Sequence, residues 1–123
     1  MTITITAAEA RELLTRAVEE KGADYVYPRS NYPGGCIYFS EGEEGDEVGA
    51  PSCIIGHVFA YKGMEPLPED VNGATVHGVH RRFFEVDNNW TLAALAKAQA
   101  AQDTGDTWGN ALRAALSVLD EAK

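Results

Sequence analysis

The sequence predicts an α+β fold that is mostly helical, with a small two- or three-stranded antiparallel sheet and a C-terminal helical hairpin. Three observations predict it. A capped amphipathic stretch occupies 7–21, and two short runs of aromatic and β-branched residues flank a cluster of turn formers. The last third is dominated by strong helix formers and broken once, at Thr104-Gly105-Asp106. With 123 residues, 45% apolar and 24% charged, the chain fits one folded domain spanning 1–123.

The first helix is predicted over 7–21. Thr6 and Glu9 have the spacing of a capping box, in which each side chain satisfies a backbone N–H of the first turn. Ala10, Leu13, Leu14, Ala17 and Val18 recur at helical spacing, and Gly22 supplies the stop. Ahead of the helix, Ile3 and Ile5 alternate with threonines, which suits a short strand or a hydrophobic staple. Residues 24–28 and 36–39 read as two paired strands joined through Arg29-Ser30-Asn31-Tyr32-Pro33-Gly34-Gly35. The acidic stretch 41–47 contains nothing to bury and reads as a solvated loop.

A second helix is predicted over 53–62, after Pro51-Ser52 and before Gly63. Two prolines limit 66–71 to a brief turn. In 74–86, Val76, Val79, Phe83 and Val86 fit a helical face, and a short helix is expected despite Gly78. Helices over 91–103 and 107–121 complete the chain, with Gly105 as C-cap and Asp106 as the next N-cap. Joined so closely, they should form a hairpin or meet at an angle.

The net charge of −9 argues against nucleic acid and anionic membrane surfaces as partners, since both are bound through Lys and Arg. Mimicry of DNA would need carboxylates spaced along one face, and only one dense acidic stretch is present. No apolar run approaches the length that spans a bilayer, and Met1-Thr2-Ile3-Thr4-Ile5-Thr6 lacks the features of a secretory signal. With two cysteines and no disulfide framework, the expected setting is a reducing cytoplasm.

Chemistry has few places to reside. Cys36, Cys53, His57 and His80, with His77, are the soft ligands of the chain, and two Cys with two His can hold zinc. Cys53 and His57 are four apart, but neither cysteine belongs to a knuckle. Cys53 near a helix start also suits a thiolate nucleophile, with His77 or His80 as base and Asp70 or Asp87 orienting it. The plainer reading is two buried thiols with surface histidines, so an enzyme is the minority expectation and no cofactor is expected. Motifs for EF-hand calcium, dinucleotides or P-loop phosphates do not occur.

Two features remain as a binding surface. Arg81 and Arg82, beside His77 and His80, form one local basic patch that would meet an acidic partner or pair internally. Gln99 and Gln102 turn the apolar face of the fourth helix polar near the break, with Trp108 just beyond. They read either as satisfying backbone groups at the turn or as a partner-binding surface with Trp108 as its aromatic anchor.

Cys36-Ile37-Tyr38, then Pro51-Ser52-Cys53-Ile54-Ile55-Gly56-His57, then Ala98 to Gly105 and Trp108-Gly109, resemble small uncharacterised proteins of actinobacteria and their phages, mycobacteriophages in particular. The resemblance covers roughly 25–116 and is poor over 66–90. It transfers no catalytic or binding residue. It implies a phage or prophage accessory protein, acting in the host cytoplasm, that binds a host protein. The expected function is thus non-enzymatic protein binding, with a thiol- or zinc-dependent protein built on Cys53 as the alternative. Oligomeric state is left open, a homodimer included.

Overall fold

A computed structural model describes residues 3–27, 37–39, 50–64 and 74–121. Along the chain these form β1 (Ile3–Ile5), α1 (Ala7–Lys21), α2 (Ile54–Tyr61), α3 (Val76–Val79), β2 (Phe84–Val86), α4 (Asn89–Asp103) and α5 (Trp108–Glu121). The architecture is mostly helical with one two-stranded sheet. No helix among the described residues is long and apolar enough to cross a membrane.

Helix α1 starts and stops where the sequence predicts. Thr6 Oγ1 accepts from Glu9 N, and Glu9 Oε1 accepts from Thr6 N, both at 3.1 Å. Gly22, at φ +97°, ends the helix by donating its N–H to Val18 O. The predicted stripe, Ala10, Leu13, Leu14, Ala17 and Val18, is buried, because one apolar face of an otherwise charged helix must leave water. It joins a cluster with Ile54, Ile55, Val58 and Phe59 of α2 and Leu95, Ala98, Ala111 and Ala115 of α4 and α5.

The sheet differs from the sequence expectation in both membership and direction. β1 and β2 pair in parallel, with Ile3 opposite Phe84, Thr4 opposite Glu85 and Ile5 opposite Val86. Among the described residues, the run expected at 24–28 makes an isolated antiparallel bridge, Val26 with Thr107, and that at 36–39 one from Phe39 to Pro51. Their aromatics serve the core instead. Tyr27 and Tyr38 are buried, with the Tyr27 hydroxyl 2.9 Å from Ser52 Oγ and the Tyr38 hydroxyl donating to Ala74 O. Pro28, Cys36, the turn at 29–35, the acidic stretch 41–47 and the 66–71 segment lie outside the described residues.

The segment 74–86 holds both a helix and a strand. α3 is one turn, since Arg81 adopts φ +73° and donates its N–H to Phe84 O, which turns the chain into β2. A positive φ is costly for any residue with a Cβ. Its reward here is the return of Phe84–Val86 alongside β1.

Helices α4 and α5 pack together more extensively than any other pair, as a hairpin through 104–107. Gly105 has the positive φ, +90°, that the turn needs, while Thr104 is the cap residue of α4. The N-cap of α5 is Thr107 instead of the expected Asp106: its Oγ1 accepts from Asn110 N. Asp106 supports it from one residue back, accepting from Thr107 N and Asn110 Nδ2.

Two carboxylates fasten α1 to its surroundings. Glu9 pairs with Lys62 beyond α2, and this hydrogen bond, with that from Thr6 N–H, holds its carboxyl below the usual glutamate range. Asp87 is pushed up by burial, but hydrogen bonds from Thr91 Oγ1, Ala7 N and nearby backbone N–H groups outweigh that and lower it overall. A depressed folded pKa contributes stability above the unfolded pKa and loses it as pH falls through the folded value. Urea midpoints are therefore expected to fall on acidification below about pH 4, and less steeply in Glu9→Gln. An identical acid profile in that variant would remove Glu9 from the account.

Candidate functional site

The helix N-termini show how the interior is wired. A helix starts with N–H groups that have no partner inside it, and in a packed interior each must find an acceptor. Two glutamines of α4, one turn apart, provide two of these. Gln102 Oε1 accepts from Ile54 N, the first residue of α2, at 2.7 Å. Gln99 Oε1 accepts from Val76 N, the first residue of α3, at 2.8 Å. The amide nitrogens are used as well: Gln102 Nε2 donates to Asp103 Oδ1 and Gln99 Nε2 to the Tyr38 hydroxyl. Helix α5 is served by backbone, with Trp108 N donating to Tyr25 O and Gly109 N to Ala23 O.

Both glutamines are buried. The backbone-satisfying role expected from sequence is what their contacts describe, although the helices served lie across the fold and not at the hairpin turn. A partner's surface does not reach them in this conformation. The same correction applies to Trp108. It is fully buried, with its ring edge-on to Tyr25 at 4.8 Å and to His57 at 5.2 Å. It anchors the core and not a partner.

Among the described residues, the thiol–histidine constellation is brought together only between Cys53 and His57. Cys53 is fully buried as the N-cap of α2, its Sγ accepting from Gly56 N at 3.4 Å. The four-residue spacing does bring His57 to Cys53, but His57 Nδ1 bonds the Cys53 carbonyl, at 2.9 Å. A carbonyl only accepts, so Nδ1 carries the proton. His80 lies elsewhere, beside the Phe84 ring, with Nε2 3.5 Å from Glu85 Oε1, too far for a well-formed hydrogen bond. His77 is exposed on α3. Among the described residues no three His, Cys, Asp or Glu side chains are placed to share a metal ion. Cys36 lies outside them.

Arg81 and Arg82 are exposed, as a binding role requires. The Arg82 guanidinium lies 4.7 Å from the Phe83 ring centroid. Sequence reasoning missed what stands at the far end of the same segment: Trp90, in the first turn of α4, is 47% exposed. Its neighbours Asp87, Asn88 and Asn89 are the signal that could have found it, since a run that polar belongs at the surface.

The second unforeseen feature is a cleft of about 270 Å³ between α3 and α4, lined by Thr75, His77, Ala96, Gln99, Ala100 and Asp103. The α4 residues fall at helical spacing on one face, and the alanines leave the room. Burial pushes the Asp103 carboxyl above its ordinary value, and the hydrogen bond from Gln102 offsets part of that. No family model, curated protein or solved structure matches this chain.

Proposed function

We propose that the chain is a non-enzymatic binding protein, an accessory protein of the kind carried by actinobacteria and their phages. In this reading it docks onto a host cytoplasmic protein through exposed residues of the 81–90 segment, Arg81, Arg82 and Trp90. The observation that carries it is Trp90. Among the described residues the large apolar side chains are buried or half-buried except Val26 and Trp90. An indole left in water forgoes burial worth about 2 kcal/mol or more, and Trp and Arg are the residues that dominate the energetics of protein interfaces. Two exposed arginines on a chain of net charge −9 favour an acidic patch on the partner, with the indole filling an apolar depression beside it.

The test is capture from an actinobacterial host lysate, followed by binding measurements with the purified partner. Trp90→Ala and Arg82→Glu are each expected to weaken binding by about 30-fold or more. Arg113→Glu, on the exposed side of α5, is expected to leave it unchanged. Recovery of no partner, or equal binding by all three variants, would refute the reading.

A further inference from the structure

We propose that the cleft between α3 and α4 is a binding site for a single primary ammonium group on an alkyl stem, with Asp103 as its counter-charge. Its lining includes none of Arg81, Arg82 and Trp90, and the proposal does not depend on them. It is lined by the alanines Ala96 and Ala100 together with Thr75, His77, Gln99 and Asp103. Methyl groups suit an alkyl stem, which lies along apolar surface while its charged head reaches a polar end. The polar end is Asp103. At about 270 Å³ the cleft falls below the ~300–1,000 Å³ usual for drug-sized ligands and suits one side chain or one small amine.

The hydrogen bonding of Asp103 selects the kind of cation. Oδ1 is taken by Gln102 Nε2 at 2.8 Å, which leaves Oδ2 without a hydrogen bond among the described residues. A guanidinium binds carboxylates best with two parallel N–H bonds, one to each oxygen, and here one oxygen is committed. An ammonium acts as a point charge that needs one strong acceptor and can direct its other N–H groups elsewhere. The Thr75 hydroxyl, which makes no cap hydrogen bond to α3, and the His77 ring are the further acceptors of the lining. The chain's net charge of −9 favours the approach of any cation.

The commitment of Oδ1 has a structural origin. Gln102 is fixed by its bond to Ile54 N, so its amide presents the same N–H to Asp103 for as long as α2 is docked. The carboxylate is therefore held in place before any ligand arrives, which reduces the ordering cost of binding.

The experiment is a ¹⁵N–¹H NMR titration of the full chain with n-butylammonium, at constant ionic strength. The expected result is saturable shifts confined to α3 and the C-terminal half of α4. So small a ligand should show a Kd on the order of 1 mM. Asp103→Asn should weaken binding roughly tenfold or more. Ala100→Leu, at an exposed helical position, should abolish it with Asp103 intact. Guanidinium and neutral N-butylacetamide should each bind at least about tenfold more weakly. Nα-acetyl-lysine amide separates the sources of the ammonium: binding as tight as that of butylammonium marks a protein lysine, and binding of butylammonium alone marks a free amine. Absence of saturable shifts, equal binding by Asp103→Asn, or equal binding of N-butylacetamide would each overturn the proposal.

Discussion

Gly56→Ala is expected to unfold the protein. A Cβ at that position would lie 1.9 Å from the backbone carbonyl oxygen of Tyr38 and 2.8 Å from its carbon, inside any tolerable contact. The carbonyl has no freedom to withdraw. Tyr38 O accepts from Ser52 N, and Ile37 O accepts from Cys53 N, so the 37–39 segment is tied to the chain that enters α2. Relief would require α2 to lift away, and α2 buries Ile54, Ile55, Val58 and Phe59. Overpacking that soft neighbours can absorb costs about 1–3 kcal/mol. A backbone clash that undocks a core helix should exceed about 4 kcal/mol, a large share of the stability of a typical domain. Loss of amide dispersion in the NMR spectrum, or a collapsed urea midpoint, is the expected result. A variant that melts within a few degrees of the parent would show that the contact is softer than the geometry indicates.

The second large effect is expected from Gln102→Met, which keeps the length of the side chain and removes its polar atoms. It would leave the N–H of Ile54 buried without an acceptor and deprive Asp103 of a donor. Stranding a buried donor costs about 1–3 kcal/mol, and removal of a cap typically costs about 1 kcal/mol. Because both losses fall at one position, a destabilisation of about 2–3 kcal/mol is expected in chemical denaturation. Backbone exchange should be read alongside it. The amides of the first turn of α2 should lose protection first, while those of α5 should change only with global stability. A loss below about 0.5 kcal/mol would mean that another acceptor takes over at Ile54.

What could be read from the sequence divides along one physical line. Features determined by neighbours in the chain were legible: the Thr6–Glu9 box, the apolar stripe of α1 and the break at Gly105. Features determined across the chain were not. Ile3 and Ile5 suited a short strand, which β1 is, but its partner β2 is three residues long and lies far away in sequence. Gln99 and Gln102 were recognised as polar positions on an apolar face. The groups they satisfy, however, begin helices 23 and 48 residues away. The burial of Trp108 and the exposure of Trp90 were not legible for the same reason. Trp108 follows an exposed turn yet is enclosed by Tyr25 and His57, whereas Trp90 opens a helix whose interior face is supplied by Leu92, Leu95 and Ala98.

The candidate site was legible in part. Arg81 and Arg82 were placed at the surface by their charge, and surface is where they are. Among the described residues, the cysteine that opens α2 turns its sulfur toward the first-turn N–H groups. The i, i+4 histidine then meets the carbonyl of that cysteine. The cleft left no sequence signature beyond alanines at 96 and 100, which good helix formers produce without any cleft at all.

The parallel pairing of β1 with β2 also sets the order in which the molecule can be completed during synthesis. The Ala7 N–H is held by Asp87, 80 residues further along the chain, so among the described residues β1 has no strand partner until Phe84–Val86 has been made. At about 5–20 residues per second, translation leaves the first strand unpaired for roughly 4–16 s. Helix α1 can form at once from its own capping box, but it cannot be fixed in place. β1 is thus a late addition to the fold although it precedes the helices it packs beside.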